Sequence, residues 1–82
     1  MTLLDIKAGA EAKVFAIHGG RHFVERLNSF GFYDGVAIKL IRAAPFHGPL
    51  LIENIESGAR IMVGRGMAAK IEIRNDQEPA ER

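Results

Sequence analysis

Residues 21–35 read RHFVERLNSFGFYDG. Phe23, Leu27 and Phe30 recur at i, i+4 and i+7 with Val24 beside them, so one face is apolar at the helical period. Glu25, Arg26, Asn28 and Ser29 fill the other face. Gly31 can adopt the left-handed conformation that ends a helix, and Phe32 follows where such a cap places an apolar contact. Asp34-Gly35 is a turn signal ahead of an apolar run. No other stretch has the pattern of a long helix. The spacing therefore predicts one helix, with Phe23, Leu27 and Phe30 as a lid over a sheet built from the rest of the chain.

Working outward, the flanks supply strands. Thr2 to Asp5 has capping-box spacing for a single turn that tucks Leu3 or Leu4 and Ile6 inward. Residues 11–18, EAKVFAIH, predict a first strand with Val14 and Ala16 on one face and Phe15 and Ile17 on the other. Gly19-Gly20 breaks it before the helix. Residues 36–42, VAIKLIR, alternate cleanly, with Val36, Ile38 and Leu40 on one face. Pro45 to Pro49 is a loop, its two prolines bracketing Gly48. Residues 50–56 form a third strand with Ser57-Gly58 as its hairpin turn, and residues 60–63 a fourth with Ile61 and Val63 inward. Residues 64–69 are a glycine-rich corner or one helical turn. Residues 70–74 close the set with Ile71 and Ile73 inward. The expected fold is mainly β: a small curled antiparallel barrel with one α-helix inserted between the first two strands, since closure hides strand edges.

Composition sets limits. The chain has 82 residues and a net charge of +1, enough for one domain and too balanced for a strong nucleic-acid binder. The expected division is a barrel domain over residues 1–74 and a loose tail over 75–82. There is no cysteine, which excludes disulfides, thiolate metal sites and a cysteine nucleophile. No run approaches the length needed to span a bilayer, and no signal peptide opens the chain, so the expected address is cytoplasmic without direct membrane insertion.

The ordered pattern resembles the FeoA family, small accessory proteins of bacterial ferrous iron uptake with an SH3-like barrel. The resemblance runs through Leu3, Ile6 and Gly9; through Arg26, Leu27, Phe30, Gly31 and Phe32; through Gly35, Val36 and Ile38; through Ala44, Pro45 and Pro49; and through Ala68, Ile71 and Ile73. It departs at Asp34, where the family often has proline, and at Val63 to Gly66. It implies a non-catalytic protein that acts by contact with the cytoplasmic part of FeoB, a membrane GTPase transporter. The same fold closes the iron-dependent repressors of the DtxR type, whose DNA-binding helices are not in this chain.

The residues agree by elimination. Ser29 and Ser57 are the only serines, one on a polar helix face and one in a turn, and no carboxylate pair suggests acid/base work. Gly64 to Ala69 matches G-x-G-x-x-A, but too few residues follow for the second strand and distant acid of a dinucleotide site. Tyr33, Phe46, Met62 and Met67 fit no inward face and are candidates for partner contact; alternatively Tyr33 and the methionines plug the barrel ends. Arg21 opens a helix whose N-terminus is already partly positive, a mismatch that an acidic partner patch or an anion would offset; alternatively the exposed dipole effect is below about 1 kcal/mol and the chain tolerates it. His18, His22 and His47 raise the alternative of a small metal-binding or metal-sensing protein. No cofactor is expected, any divalent metal being adventitious or regulatory. Exposed strand edges leave homodimerisation open.

Overall fold

The computed structural model describes residues 1–75. A capped single turn opens the chain. Thr2 Oγ1 accepts from the Leu4 amide at 3.2 Å, and Asp5 Oδ2 accepts from the Thr2 amide at 2.7 Å. This reciprocal cap fixes the 3-10 turn Leu3–Asp5 and drops Leu3 into the core. The elements that follow are β1 (Glu11–Ile17), α1 (Arg21–Ser29), β2 (Ala37–Ala43), β3 (Leu50–Asn54), β4 (Arg60–Val63), the single turn α2 (Arg65–Ala68) and β5 (Ile71–Arg74). The expected tail, 75–82, lies outside the described residues beyond Asn75.

The five strands form one antiparallel sheet in the order β4-β3-β2-β1-β5. Val63 from one edge strand and Ile71 and Ile73 from the other join the same core as Ile38, Leu40, Leu50 and Ile52. A flat sheet could not bring its two edges to one core, so the sheet is curled. Two bulges do the bending. One lies between Val14 and Ala16, the other between Leu40 and Arg42.

The first bulge corrects the expected faces of β1. Simple alternation would set Phe15 and Ile17 together. The extra residue instead sends Phe15 outward under Arg74, whose guanidinium lies 3.7 Å from the ring centroid, and returns Ile17 to the core side. The strand β3 also ends earlier than residue 56, because Asn54 begins a turn. The Asn54 amide donates to Ala59 O and the Gly58 amide to Asn54 O, both at 2.8 Å, with Gly58 at φ +81°. That is a four-residue loop, residues 55–58, whose last position is a left-handed glycine.

Helix α1 ends as its sequence requires. The Phe32 amide reaches Leu27 O at 2.9 Å and the Gly31 amide reaches Asn28 O at 3.0 Å, with Gly31 at φ +93°. This paired cap reverses the chain and buries Phe32, which is 1% exposed. Burial of such a ring is worth about 2–3 kcal/mol. Leu27 is buried and Phe23 packs against the core, but the expected third member of the lid does not: Phe30 is 49% exposed. Phe30 sits about 60° round the helix from Leu27, at the cap itself, and the reversal gives its inward place to Phe32.

A candidate docking groove between the helix and the edge strand

The displaced Phe30 helps to form an open groove of about 610 Å³ between α1 and β4. His22, Arg26 and Phe30 stand four residues apart and make one row along the helix flank. Phe23 and Leu27 form the floor, and Ile61, Met62 and Val63 of β4 form the opposite wall with Met67 of α2. The volume lies within the range of ligand-binding clefts. Its lining is mostly apolar. The polar members are His22 and Arg26, and no carboxylate lines it. Met62 is 64% exposed, an unusual state for a flexible apolar side chain beside a cleft.

The residues singled out in the sequence separate into groups. Met62 and Met67 line the groove, and His22 lines it beside Arg26 rather than as part of a histidine cluster. Arg21 lies on the exposed side of α1, 3.5 Å from Glu25 one turn on. Tyr33 is exposed, neither in the groove nor buried as a plug. Phe46 is 96% exposed at the tip of the proline loop.

That loop tip is strained. Phe46 and His47 have φ of +58° and +60°, and the Gly48 amide closes the turn on Pro45 O at 3.1 Å. Two left-handed residues in succession suit Asn-Gly, not phenylalanine and histidine. Each non-glycine residue held so costs about 1–3 kcal/mol. The strain holds a ring in water, where it contributes nothing to folding.

The histidines do not assemble. His18 Nε2 meets Glu72 Oε1 at 2.9 Å on the surface, and His47 belongs to the proline loop. Among the described residues no three His, Cys, Asp or Glu side chains gather as metal ligands. The contact to His18 lowers the pKa of Glu72 below its ordinary 4.5; its hydrogen bond is the larger cause, opposed by desolvation and assisted by charge. The two serines serve the backbone: Ser29 Oγ donates to Arg26 O at 2.7 Å, and Ser57 Oγ accepts from the Ala59 amide at 3.2 Å. Neither is aligned with a base.

One important residue carried no signal in the sequence. Asn54 is 3% exposed. Its Nδ2 donates to Gly31 O at 2.7 Å, and its Oδ1 accepts from the Glu56 and Ser57 amides at 2.9 and 3.1 Å. It therefore ties the end of α1 to the β3–β4 turn, the two sides between which the groove opens.

The FeoA domain model matches residues 1–75. The chain belongs to the FeoA family. It is 35% identical over 75 residues to the putative Fe(2+) transport protein A of Methanocaldococcus jannaschii, covering 92% of this chain and 87% of that protein. The solution structure of the FeoA protein from Chlorobium tepidum superposes with a TM-score of 0.84 at 27% identity, covering 92% of this chain and 70% of that one. The crystal structure of Stenotrophomonas maltophilia FeoA with zinc, described as a procaryotic SH3 domain protein, superposes with a TM-score of 0.73 at 22% identity, covering 89% of this chain and 88% of that one. The fold is thus the SH3-like barrel that the FeoA resemblance implied. The family is associated with ferrous iron transport and is not a known enzyme family. No helix among the described residues is long and apolar enough to cross a membrane.

Proposed function

We propose that this FeoA-family chain is a non-catalytic accessory protein of ferrous iron uptake. It works in the cytoplasm by docking on the cytoplasmic region of a FeoB-like GTPase transporter. The observation that carries this reading is the groove: its lining is apolar and cationic, without a nucleophile or a carboxylate, and Phe30, Met62 and Met67 stand half in water around it. Such a surface binds and does not transform. Phe46 supplies a second contact, because a strained loop that holds a ring in solvent gains only when a partner covers the ring.

The test is a calorimetric titration of the purified chain against the cytoplasmic region of the transporter. Binding is expected, and Met62→Asp and Phe46→Ala are each expected to weaken it about ten-fold or more, as loss of a buried apolar anchor does. Arg21→Glu tests the exposed side of α1. Unchanged affinity in every variant overturns the surface, and absence of binding overturns the partner.

A further inference from the structure

The groove is bounded by a strand edge as well as by side chains. Successive side chains of a strand point to opposite faces. Ile61, Met62 and Val63 nevertheless all line the groove, so the groove runs along the backbone edge of β4. β4 is the terminal strand on its side of the sheet.

The hairpin fixes which backbone groups face that edge. The Asn54 amide donates to Ala59 O, and hydrogen-bonded and non-bonded pairs alternate along an antiparallel ladder. The register pairs Glu53 with Arg60, Ile52 with Ile61, Leu51 with Met62 and Leu50 with Val63. Ile61 and Val63 therefore spend their amides and carbonyls on β3, while Arg60 and Met62 aim theirs away from it. The other neighbour of β3 agrees: the Ile55 amide donates to Ala37 O, which places the β2-facing groups on Glu53 and leaves those of Ile52 for β4. The opposite end of the sheet is covered, since Thr2 bridges Glu72 and the Ile73 amide donates to Met1 O at 2.8 Å.

We infer that the groove takes an extended partner segment as an added antiparallel strand, hydrogen-bonded to Met62. Alternate apolar side chains of that segment enter over Phe23, Leu27 and Phe30. Its intervening positions are acidic, because the polar residues on the lining are His22 and Arg26 and Lys70 stands 5.9 Å from the Phe23 ring. An amphipathic helix would fill an apolar groove but would leave the Met62 amide and carbonyl unsatisfied under cover. A strand satisfies both. The inference rests on the partner-binding reading and specifies its chemistry.

The probe is a seven-residue acetylated, amidated peptide that alternates valine with glutamate and aspartate, titrated into the ¹⁵N-labelled chain. Amide shifts are expected to concentrate at residues 60–64 and along α1. A counterpart with lysine at every acidic position is expected to bind about ten-fold more weakly, by charge. Met62→Pro removes the outward amide and leaves pairing to β3 intact, as edge prolines do; Met62→Ala removes only the side chain. The proline variant is expected to lose about ten-fold more affinity than the alanine variant, the worth of a backbone hydrogen bond under cover. If the proline variant does not fold, N-methylation of the central acidic residue of the peptide, the position opposite Met62, removes a backbone donor against the native chain and is expected to weaken binding similarly. Equal losses in the two variants, or indifference to N-methylation, overturn strand addition. So do shifts confined elsewhere, preference for the lysine peptide, or dimerisation of the chain through residues 60–63 that the peptide does not compete away. If the transporter region binds and Met62→Pro leaves that binding intact, strand addition falls while the proposed function stands.

Discussion

Asn54→Ala tests the architecture most directly. Three hydrogen bonds disappear: one to Gly31 O and two from the Glu56 and Ser57 amides. Each is worth about 1 kcal/mol net when its partner can still reach water. The Glu56 and Ser57 amides lie in an exposed turn and will rehydrate, whereas Gly31 is half-buried. The expected loss is about 2–3 kcal/mol, from a total of about 4–12 kcal/mol for a chain of this size. That corresponds to a fall in Tm of about 8–20 °C. Urea unfolding followed by circular dichroism measures it, and the slope of the transition should not change. Asn54→Asp separates the two halves of the contact. It keeps both turn acceptors, loses the donor to Gly31 O, and sets a carboxylate against that carbonyl. It should therefore be destabilised at neutral pH, and the groove-facing amides of α1 should exchange faster. An alanine variant within about 0.5 kcal/mol of the native chain, or an aspartate variant equal to it, would refute the clamp.

Gly31→Ala should cost about 1–2 kcal/mol, because φ is +93° there and a side chain resists that conformation; the new Cβ would also stand 3.4 Å from Asn54 Nδ2. The double change Phe46→Asn and His47→Gly should raise stability by about 1–2 kcal/mol in the same unfolding assay, since it relieves two left-handed residues, while it weakens partner binding. Glu72 has a lowered pKa in the folded chain, so its pairing with His18 supports folding above its ordinary 4.5 and ceases to do so as pH falls through the lowered value. His18→Ala should move the carboxyl resonance titration of Glu72 back up toward 4.5.

The helix, its glycine stop and the order of strands were legible because each rests on local periodicity or on a residue type with one use. The cap made of Leu27, Gly31 and Phe32 is such a case, and so is the Thr2 and Asp5 box. Phe30 departs from the expected lid because position on a helix wheel does not show where a cap will turn the chain. The bulge at Phe15 left no mark, since a bulge changes facing without changing composition. Asn54 read as one more strand residue, because its partners come from 23 residues away in Gly31 as well as from the next turn. Met62 and Met67 fit no inward face of the sequence pattern, but the groove that unites them depends on how the barrel curls. The row of His22, Arg26 and Phe30 is the available signal for it: an imidazole, a guanidinium and a phenyl ring in line, on a helix expected to be apolar on one face only.

The bridge from Thr2 to Glu72 limits how copies of this chain can associate. A sheet with two bare margins can elongate without end, each copy templating the next. Here one margin is occupied by the chain's own first residues, so among the described residues pairing through strand margins stops at two copies, back to back about a two-fold axis. Displacing residues 1 and 2 from that margin would turn a self-terminating contact into a propagating one, and the first symptom would be fibrils rather than unfolded protein.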